Sequence, residues 1–324
     1  MTCKINPAIL KIAAIAITIT VLSSTTYAGY LVAWGSSSDG QTSVPEGDDF
    51  VDVQCGALFN VALRSDGSVI AWGSNASGQS TGEPTDTGYL SIAAGKKHAL
   101  AITSAGSLLS WGYDRASSNM PRTGTYTAIA GGAYHSVALA SDGTISTFGF
   151  SVKNNLDNTP TASNFTAIAA YDYTSLALDT EGYITAWGYN TSYNLVTGAP
   201  VDNGFVDIAL GSNCGVALHE NGCIVTWGDS SSPLLNAPAA GNFVSIAVWG
   251  DHGFALTDTG TLVHWGENGT QLNDVAGVMA SLGDDEYFSA ISTGEDHAIG
   301  IVVPEPFTAA LLTLGGFMLR RKRI

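Results

Sequence analysis

The sequence predicts an all-β chain folded as a seven-bladed β-propeller, with about three to four antiparallel strands in each blade. Three observations lead to this prediction: a repeat of about 38 residues, hairpin turns built around glycine within each repeat, and two chain ends that complete each other. The composition agrees, because 38 glycines in a chain that is 45% apolar and 12% charged suit many short strands joined by tight turns.

The repeat is marked by the dipeptide Trp-Gly. It recurs at intervals of 37 to 40 residues, counting the one position where Phe148-Gly149 replaces it. A period of this length is typical of a propeller blade, whose small sheet must pack on its neighbours. We therefore expect the large rings to fill the wedges between blades, rather than to form an exposed row that stacks on carbohydrate. The seven rings are Trp34, Trp72, Trp111, Phe148, Trp187, Trp227 and Trp265.

Each repeat has the same internal order, which its first complete copy illustrates. An aromatic residue, Phe50, opens a strand with Val53 three residues later, and a turn follows at Gly56. A second apolar strand ends in an Asp-Gly hairpin at Gly67, and the third strand runs five residues to Trp72. Asp-Gly turns supply the positive φ angles that short hairpins need. Each repeat is therefore predicted to be a three-stranded antiparallel meander, with room for a short fourth strand in the linker.

The two ends of the repeat region complement each other. The last repeat has a first strand at Phe288 and a second strand over residues 297–303, and lacks a third. Gly29 stands five residues before Trp34, where the hairpin glycine stands in the other repeats. Residues 29–303 are therefore predicted to form one closed ring, in which the N-terminal and C-terminal strands share a blade.

Residues 1–28 are predicted to be a secretory signal peptide. Lys4 and Lys11 precede an apolar run over residues 12–22, which has the length of a signal core and is short for a membrane span. Small residues place the cleavage after Ala28. A buried helix is the alternative interpretation.

Residues 304–324 form a separate C-terminal segment. The tripeptide Pro304, Glu305, Pro306 is followed by an apolar stretch over residues 307–319 and a basic end. This segment resembles the bacterial PEP-CTERM sorting signal. The resemblance implies processing by an exosortase-type enzyme, transient anchoring in the inner membrane by a transmembrane helix, and delivery to the cell surface or extracellular matrix of a Gram-negative bacterium. A plain C-terminal anchor is the alternative.

The predicted domain is strongly acidic. Of the 12 basic residues, two precede residue 29 and four follow residue 303, which leaves six; 27 of the 28 acidic residues lie within residues 29–303. The resulting net charge of −21 repels nucleic acid, because binding of phosphates depends on lysine and arginine. We therefore expect no nucleic-acid partner.

The repeat resembles that of the regulator of chromosome condensation family. Residues 72–79 read Trp-Gly-Ser-Asn-Ala-Ser-Gly-Gln and match the family motif Trp-Gly-x-Asn-x-x-Gly-Gln, and Gly-x-x-His recurs at residues 95–98, 132–135 and 294–297. The resemblance covers nearly all of residues 29–303 and implies a seven-bladed propeller, more similar to bacterial secreted members than to the nuclear one. Nucleotide exchange and nucleosome binding are not expected in an exported, acidic chain.

Four histidines occupy one position of the repeat, eight residues before the hairpin glycine. They could be a ring of metal ligands or structural residues that bond backbone carbonyls. Ligands spread around a sevenfold ring lie too far apart for one ion with bonds of about 2 Å. We therefore predict a structural role, no metal and no other cofactor. The four are His98, His135, His252 and His297.

The sequence carries no nucleophile motif, phosphate loop or calcium loop. A binding site is instead predicted at the blade end that carries the turns between first and second strands and the segments after Trp-Gly. We call this end the tip face. Variable, tyrosine-bearing tips on a constant framework are typical of a recognition surface. The candidate residues are Lys96, Lys97, Tyr113, Arg115, Tyr134, Asp172, Tyr173, Tyr189, Tyr193, Asn213, Trp249, Asp251, Glu295 and Asp296.

These observations favour an exported or cell-surface binding module, not an enzyme, whose partner is a protein or an extracellular polysaccharide. Two alternatives stay open. The chain could be a secreted hydrolase or lyase acting on polysaccharide through a carboxylate-lined axial groove, or a purely structural component of the envelope.

Overall fold

The computed structural model describes most of the predicted domain. The predicted signal peptide, except Ala28, and the predicted sorting segment from Glu305 onward, including Pro306, lie outside the described residues. The described residues are 28–190, 193–239, 241–267, 274–283 and 285–304.

The described chain is an all-β ring of seven antiparallel sheets with three strands each, which confirms the predicted fold class. Blades 1 to 6 are formed by consecutive strand triplets from β2–β4 to β17–β19, and blade 7 combines β20, β21 and β1. The strands are β1 Tyr30–Gly35, β2 Phe50–Cys55, β3 Phe59–Arg64, β4 Val69–Gly73, β5 Tyr89–Ala94, β6 His98–Thr103, β7 Leu108–Gly112, β8 Tyr126–Gly131, β9 His135–Ala140, β10 Ile145–Gly149, β11 Phe165–Tyr171, β12 Thr174–Asp179, β13 Ile184–Gly188, β14 Phe205–Leu210, β15 Cys214–His219, β16 Ile224–Gly228, β17 Phe243–Trp249, β18 His252–Thr257, β19 Leu262–Gly266, β20 Glu286–Thr293 and β21 His297–Pro304.

The two ends of the described chain close the ring, as the sequence predicts. Strand β1 pairs antiparallel with β21, so that Trp34 lies opposite Ala298. Strand β20 pairs with the other edge of β21. Gly29 also takes the part of a hairpin glycine, because its carbonyl accepts a 3.1 Å bond from the N–H of Phe50 in the next blade. The shared blade is therefore joined to blade 1 in the same way as the intact blades are joined.

At six of the seven blade junctions, the hairpin glycine of one blade accepts a bond from the aromatic residue that opens the next blade. Gly67 closes its hairpin with a φ of 79°, a conformation that glycine adopts without strain. Its carbonyl then accepts a 3.0 Å bond from the N–H of Tyr89, which opens the next blade. The same bond links Gly106 to Tyr126 at 2.9 Å. One turn therefore both ends a hairpin and sets the position of the following blade.

The core lies between the blades. Seven clusters of buried apolar side chains join neighbouring blades, and one of them reaches from blade 4 through blade 5 to Trp249 of blade 6. One example joins Val61 of blade 1 to Ile92 and Trp111 of blade 2. The cluster that includes Leu31, Val53 and Ile299 joins blade 7 to blade 1 across the ring closure. Each blade is therefore stabilised by its neighbours, as expected for a sheet too small to bury its own faces.

Helical structure in the described chain is confined to short segments. Two 3-10 helices cover Asp114–Ser117 and Pro233–Asn236, and one α-helix, α1, covers Val275–Ala280. Within the described ranges, no helix has the length and apolar character needed to cross a membrane.

Candidate functional site

The tryptophans of the repeat lie in the wedges between blades. All seven ring positions are buried except Trp72, which is half-buried. Four of the indoles donate through Nε1 to a carbonyl of the linker that leads into their own blade, for example Trp227 to the carbonyl of Leu195 at 3.0 Å. These rings are occupied by packing and by hydrogen bonds, so they offer no exposed row to a carbohydrate. The other three such bonds run from Trp72 to Gln41, Trp111 to Gln79 and Trp265 to Leu234.

The four histidines hydrogen-bond across the same interfaces. We expected them to bond backbone carbonyls, and carbonyls of the next blade do interact with two of them, that of Asp172 with His135 and that of Gly294 with His252. In addition, the Nε2 atoms of all four bond side chains of the next blade. His98 Nε2 lies 3.0 Å from Ser136 Oγ, whose hydroxyl donates to a carbonyl, so the imidazole is the donor. The neutral Nε2–H tautomer follows from this arrangement. The remaining pairs are His135 with Ser175, His252 with Thr293 and His297 with Asn60.

The spacing Gly-x-x-His has a steric reason. A Cβ atom added to Gly95 would lie 2.3 Å from Cε1 of His98 and 2.5 Å from the carbonyl oxygen of Gly132 in the next blade. The imidazole covers the glycine, and the two turns meet directly above it. Phe59 takes the histidine position in blade 1 and covers Gly56 in the same manner. The motif therefore serves packing at the inner end of the interfaces that carry it.

Burial keeps these imidazoles neutral. It lowers the pKa of His98 to about 3 and those of His135, His252 and His297 to about 4. In the described part of the chain, no group of three or more His, Cys, Asp or Glu side chains is placed to hold a metal ion.

An axial cavity of about 440 Å³ runs along the first strands of the blades. Alanine and isoleucine are the commonest residues of its wall, and Asp52 of blade 1 and Asp207 of blade 5 also line it. Burial raises the pKa of both carboxyls to about 6. Asp207 accepts bonds from the N–H groups of Ile208 at 2.9 Å and Ile246 at 3.3 Å, so it also ties blade 5 to blade 6.

Tyr171 and Trp249 line the tip end of this cavity. They end the two first strands that are seven residues long, β11 and β17. Their rings meet edge to face with centroids 5.2 Å apart. Trp249 lies at the predicted end of its blade, but its side chain is only 7% exposed. It is therefore packed near the axis and is not an accessible residue of the tip face.

Four predicted tyrosines form a continuous row on the tip face over blades 2 to 4. Tyr113 contacts Tyr134 edge to face at 5.7 Å, and Tyr134 stacks on Tyr173 at 5.9 Å. Tyr189 continues the row at 6.4 Å from Tyr173. All four are half-buried. Residues that lie some 76 positions apart in the sequence therefore build one surface.

Positive charges border this row. The Nζ atom of Lys153 lies 4.6 Å from the ring centroid of Tyr173 and 5.0 Å from that of Tyr189. Arg115 covers Phe150 at 5.0 Å. Lys97 is exposed beside Tyr113, whose N–H donates to the Lys97 carbonyl. We call these tyrosines and cations, with Lys96, the tyrosine–cation sector.

Lys96 lies at the inner edge of the sector. Its Nζ pairs with Asp172 Oδ1 at 3.0 Å, which links blade 2 to blade 4, and lies 5.1 Å above the ring of Tyr171. Burial alone would lower the pKa of Lys96, but the adjacent Tyr171 and Asp172 side chains raise it overall. The ammonium therefore stays charged and holds the tip turns together.

The other side of the tip face, over blades 5 to 7, has a different character. Asn213 and Asp251 are half-buried there, and Glu295 and Asp296 are exposed. Ser232 donates to Asp251 at 3.3 Å. Tyr193 is an exposed side chain of the loop after blade 4. The predicted residues therefore separate into an aromatic, basic side and an acidic side.

Sequence reasoning missed Phe150, Lys153 and Tyr171. Phe150 and Lys153 follow Phe148-Gly149, the same position from which the prediction took Tyr113 and Tyr189 in other blades. Extending that rule to the one blade without Trp-Gly would have identified them. The loop is set locally by Asn155, which is fully buried and bonds the backbone of Val152 and Phe150.

Comparisons with known proteins agree with this architecture. A family model described as the Regulator of chromosome condensation (RCC1) repeat matches residues 50–79 and 165–194, which begin at β2 of blade 1 and at β11 of blade 4. No curated protein matches the chain significantly in sequence.

Solved structures match over most of the ring. Human WBSCR16 is 17% identical with a TM-score of 0.67, over 85% of this chain and 98% of that one. Prp20p from Saccharomyces cerevisiae is 15% identical with a TM-score of 0.67, over 90% and 96%. The ectodomain of the Physcomitrella patens receptor kinase CR4 is 19% identical with a TM-score of 0.64, over 79% and 70%. The ring therefore shares its fold with these proteins, and two of its blades match the Regulator of chromosome condensation (RCC1) repeat.

Proposed function

We propose that this chain is a protein-interaction module that binds its partner through the tip face. The observation that carries the proposal is the row of four tyrosines, which is continuous across three blades although nothing in ring closure requires it. Tyrosine and arginine are the residues enriched at the energetic centres of protein interfaces. A protein partner also agrees with the solved yeast relative, which is described with its binding to Gsp1p and histones.

The row is favoured over the remaining surface because its side chains are already held in place. Ring contacts on both sides restrict Tyr134 and Tyr173, so less side-chain entropy is lost when a partner docks. The backbone beneath is fixed as well, since the N–H of Ala133 donates to the carbonyl of Asp172 in the next blade at 2.8 Å.

Cell-surface capture with matched variants tests this function. The double variant Tyr134→Ala/Tyr173→Ala should lose the partner that the parent chain retains. Tyr183→Ala is the control, because Tyr183 is 39% exposed but follows the hairpin glycine at the opposite end of its blade. Equal retention by the parent and the double variant would exclude the tip face as the binding surface.

We also propose that the module is exported and works at the cell surface or in the extracellular matrix. Cleavage after Ala28 would leave Gly29 at the new N-terminus, where it makes two backbone bonds with Phe50, so maturation would keep the shared blade intact. Mass spectrometry of the mature chain tests this, since a product that starts before Gly29 would contradict it. Processing at residues 304–306 by an exosortase-type enzyme is the matching proposal for the other end.

A polysaccharide hydrolase or lyase is the second candidate. In its favour, Asp52 and Asp207 share the axial cavity and have pKa values raised to about 6. Against it, Asp207 accepts two backbone bonds, and Tyr171 and Trp249 cover the tip end of the cavity. Turnover of a polysaccharide that Asp52→Asn and Asp207→Asn both abolish would establish this candidate instead.

A further inference from the structure

The positive charges of the domain are concentrated in one place. Residues 29–303 hold six basic and 27 acidic side chains. Four of the six basic residues belong to the tyrosine–cation sector. Of the other two, Arg64 pairs with Asp49, and Arg122 borders a cavity of about 180 Å³ with Ser107 and Tyr126 at the opposite end of the blades. An evenly mixed surface would have scattered six cations around the ring.

Three cations of the sector have no carboxylate partner in the described part of the chain. Only two ion pairs occur there, Arg64 with Asp49 and Lys96 with Asp172. Arg115 and Lys153 lie instead on aromatic faces, and Lys97 points into solvent. Aromatic faces attract a cation but leave its hydrogen-bond donors free. These donors therefore remain available to an anion from outside.

The arrangement of the rings favours a carboxylate-bearing peptide over a sugar. A sugar ring stacks on an exposed aromatic face, but the faces of Tyr173 are occupied by Tyr134 and approached by Lys153. Burial, followed by the charge of Asp172, raises the pKa of Tyr173, so its hydroxyl remains a neutral donor. The sector therefore offers ammonium, guanidinium and hydroxyl donors along a continuous line, which suits successive carboxylates.

From these observations we propose that the tyrosine–cation sector binds an acidic segment of a partner protein. The proposal rests on the proposed function and assigns the chemistry of its ligand. The acidic side of the tip face limits the register, because Glu295 and Asp296 would repel any part of the segment that extended over blade 7. The segment therefore lies over blades 2 to 4 and contacts Lys97, Arg115 and Lys153.

A binding titration with a defined acidic probe tests this assignment. Fluorescein-labelled decaglutamate is added to the full chain, and binding is followed by fluorescence anisotropy. The parent should bind it, and Arg115→Gln/Lys153→Gln should weaken binding at least about tenfold, which corresponds to about 1.4 kcal/mol. Arg115→Gln alone should also weaken binding, and Arg122→Gln is its matched control because it removes the same charge at the opposite blade end, where it should change affinity less than about twofold.

Three results would overturn the assignment. The first is that the parent chain does not bind decaglutamate, and the second is that the Arg122→Gln control loses affinity as much as Arg115→Gln does. The third is that a labelled oligogalacturonate of equal charge binds more tightly than decaglutamate, which would assign the sector to an anionic polysaccharide. The proposed function fails on a different measurement. Decaglutamate could fail to bind while Tyr134→Ala/Tyr173→Ala still loses the captured partner. In that case the tip face remains the proposed binding surface, and only the proposal of an acidic ligand is excluded.

Discussion

The blade interfaces and the tip face use the same repeats in opposite ways. At the interfaces, an aromatic ring fills each wedge, and in four of the seven blades an imidazole also bonds the next blade, as Trp111 and His98 do in blade 2. At the tips, the corresponding turns carry tyrosines and cations, with Asp172 among them, over blades 2 to 4, and Asp251, Glu295 and Asp296 over blades 6 and 7. Positions that hold the ring together restrict the choice of residue, whereas the tips are free to differ.

The largest effect that we expect is a change in the free energy of unfolding with pH, which depends on the histidines at the blade interfaces. The four interface histidines have folded pKa values of about 3 to 4, below the value of about 6.5 for an unfolded histidine. As the pH falls, the unfolded chain takes up protons first, so stability that is complete above pH 6.5 is lost toward pH 4. We expect a loss of roughly 2 kcal/mol per histidine between pH 7 and pH 5.

The axial carboxylates act in the opposite direction. Asp52 and Asp207 have raised pKa values, so the folded chain protonates them first and regains roughly 1 kcal/mol each over the same range. Urea unfolding at pH 7 and pH 5 should therefore show a net loss of several kcal/mol. The double variant His98→Gln/His135→Gln removes half of the histidine contribution, roughly 4 of 8 kcal/mol, and should therefore reduce the net loss by about two thirds. A parent chain equally stable at both pH values would show that the imidazoles are not buried in neutral form.

The next largest effect is expected for the free energy of unfolding when one ring between two blades is removed. Trp227→Ala removes a buried indole and its bond to the Leu195 carbonyl, and should lower the free energy of unfolding by about 3–5 kcal/mol. Trp227→Phe keeps most of the apolar area and loses the hydrogen bond, so about 1–2 kcal/mol is expected. Urea unfolding at pH 7 measures both. A loss below about 1 kcal/mol for the alanine variant would mean that the blades pack without this ring.

A smaller change, in this case an increase in the free energy of unfolding, is expected when Asp52 at the axial cavity is replaced. Asp52→Asn removes a half-buried charge that faces the axial cavity and keeps an acceptor for Gln54, whose Nε2 donates to it at 3.0 Å. Because the folded pKa of about 6 exceeds the unfolded value of about 3.9, the ionised carboxylate destabilises the fold at pH 7. The variant should be more stable by on the order of 2 kcal/mol at pH 7 and equal to the parent near pH 4. Destabilisation at pH 7 would indicate that the charge has a partner within the cavity.

The same comparison explains what the sequence could predict. Interface positions recur every 37 to 40 residues, so the period alone predicts the blade number, the wedge rings and the shared blade that begins at Gly29. The sector depends on contacts between blades, such as Lys153 over Tyr173, and on a loop in which Lys153 has a φ of 52°. No period encodes such a loop. Trp249 was misjudged because one extra strand residue turns its ring toward the axis.

The smallest expected effect completes the comparison. If the tips are free of the constraint that holds the ring, changing them should leave stability almost untouched. Lys153→Gln removes contacts with two half-exposed rings, and cation–π contacts at exposed sites contribute about 0.5–1 kcal/mol. We therefore expect a change in the free energy of unfolding below about 1 kcal/mol in urea at pH 7, beside the loss of about 3–5 kcal/mol for Trp227→Ala. If Lys153→Gln lowered the free energy of unfolding as much as Trp227→Ala does, the tyrosine row would be part of the structure that stabilises the ring. Its arrangement would then no longer support a binding surface.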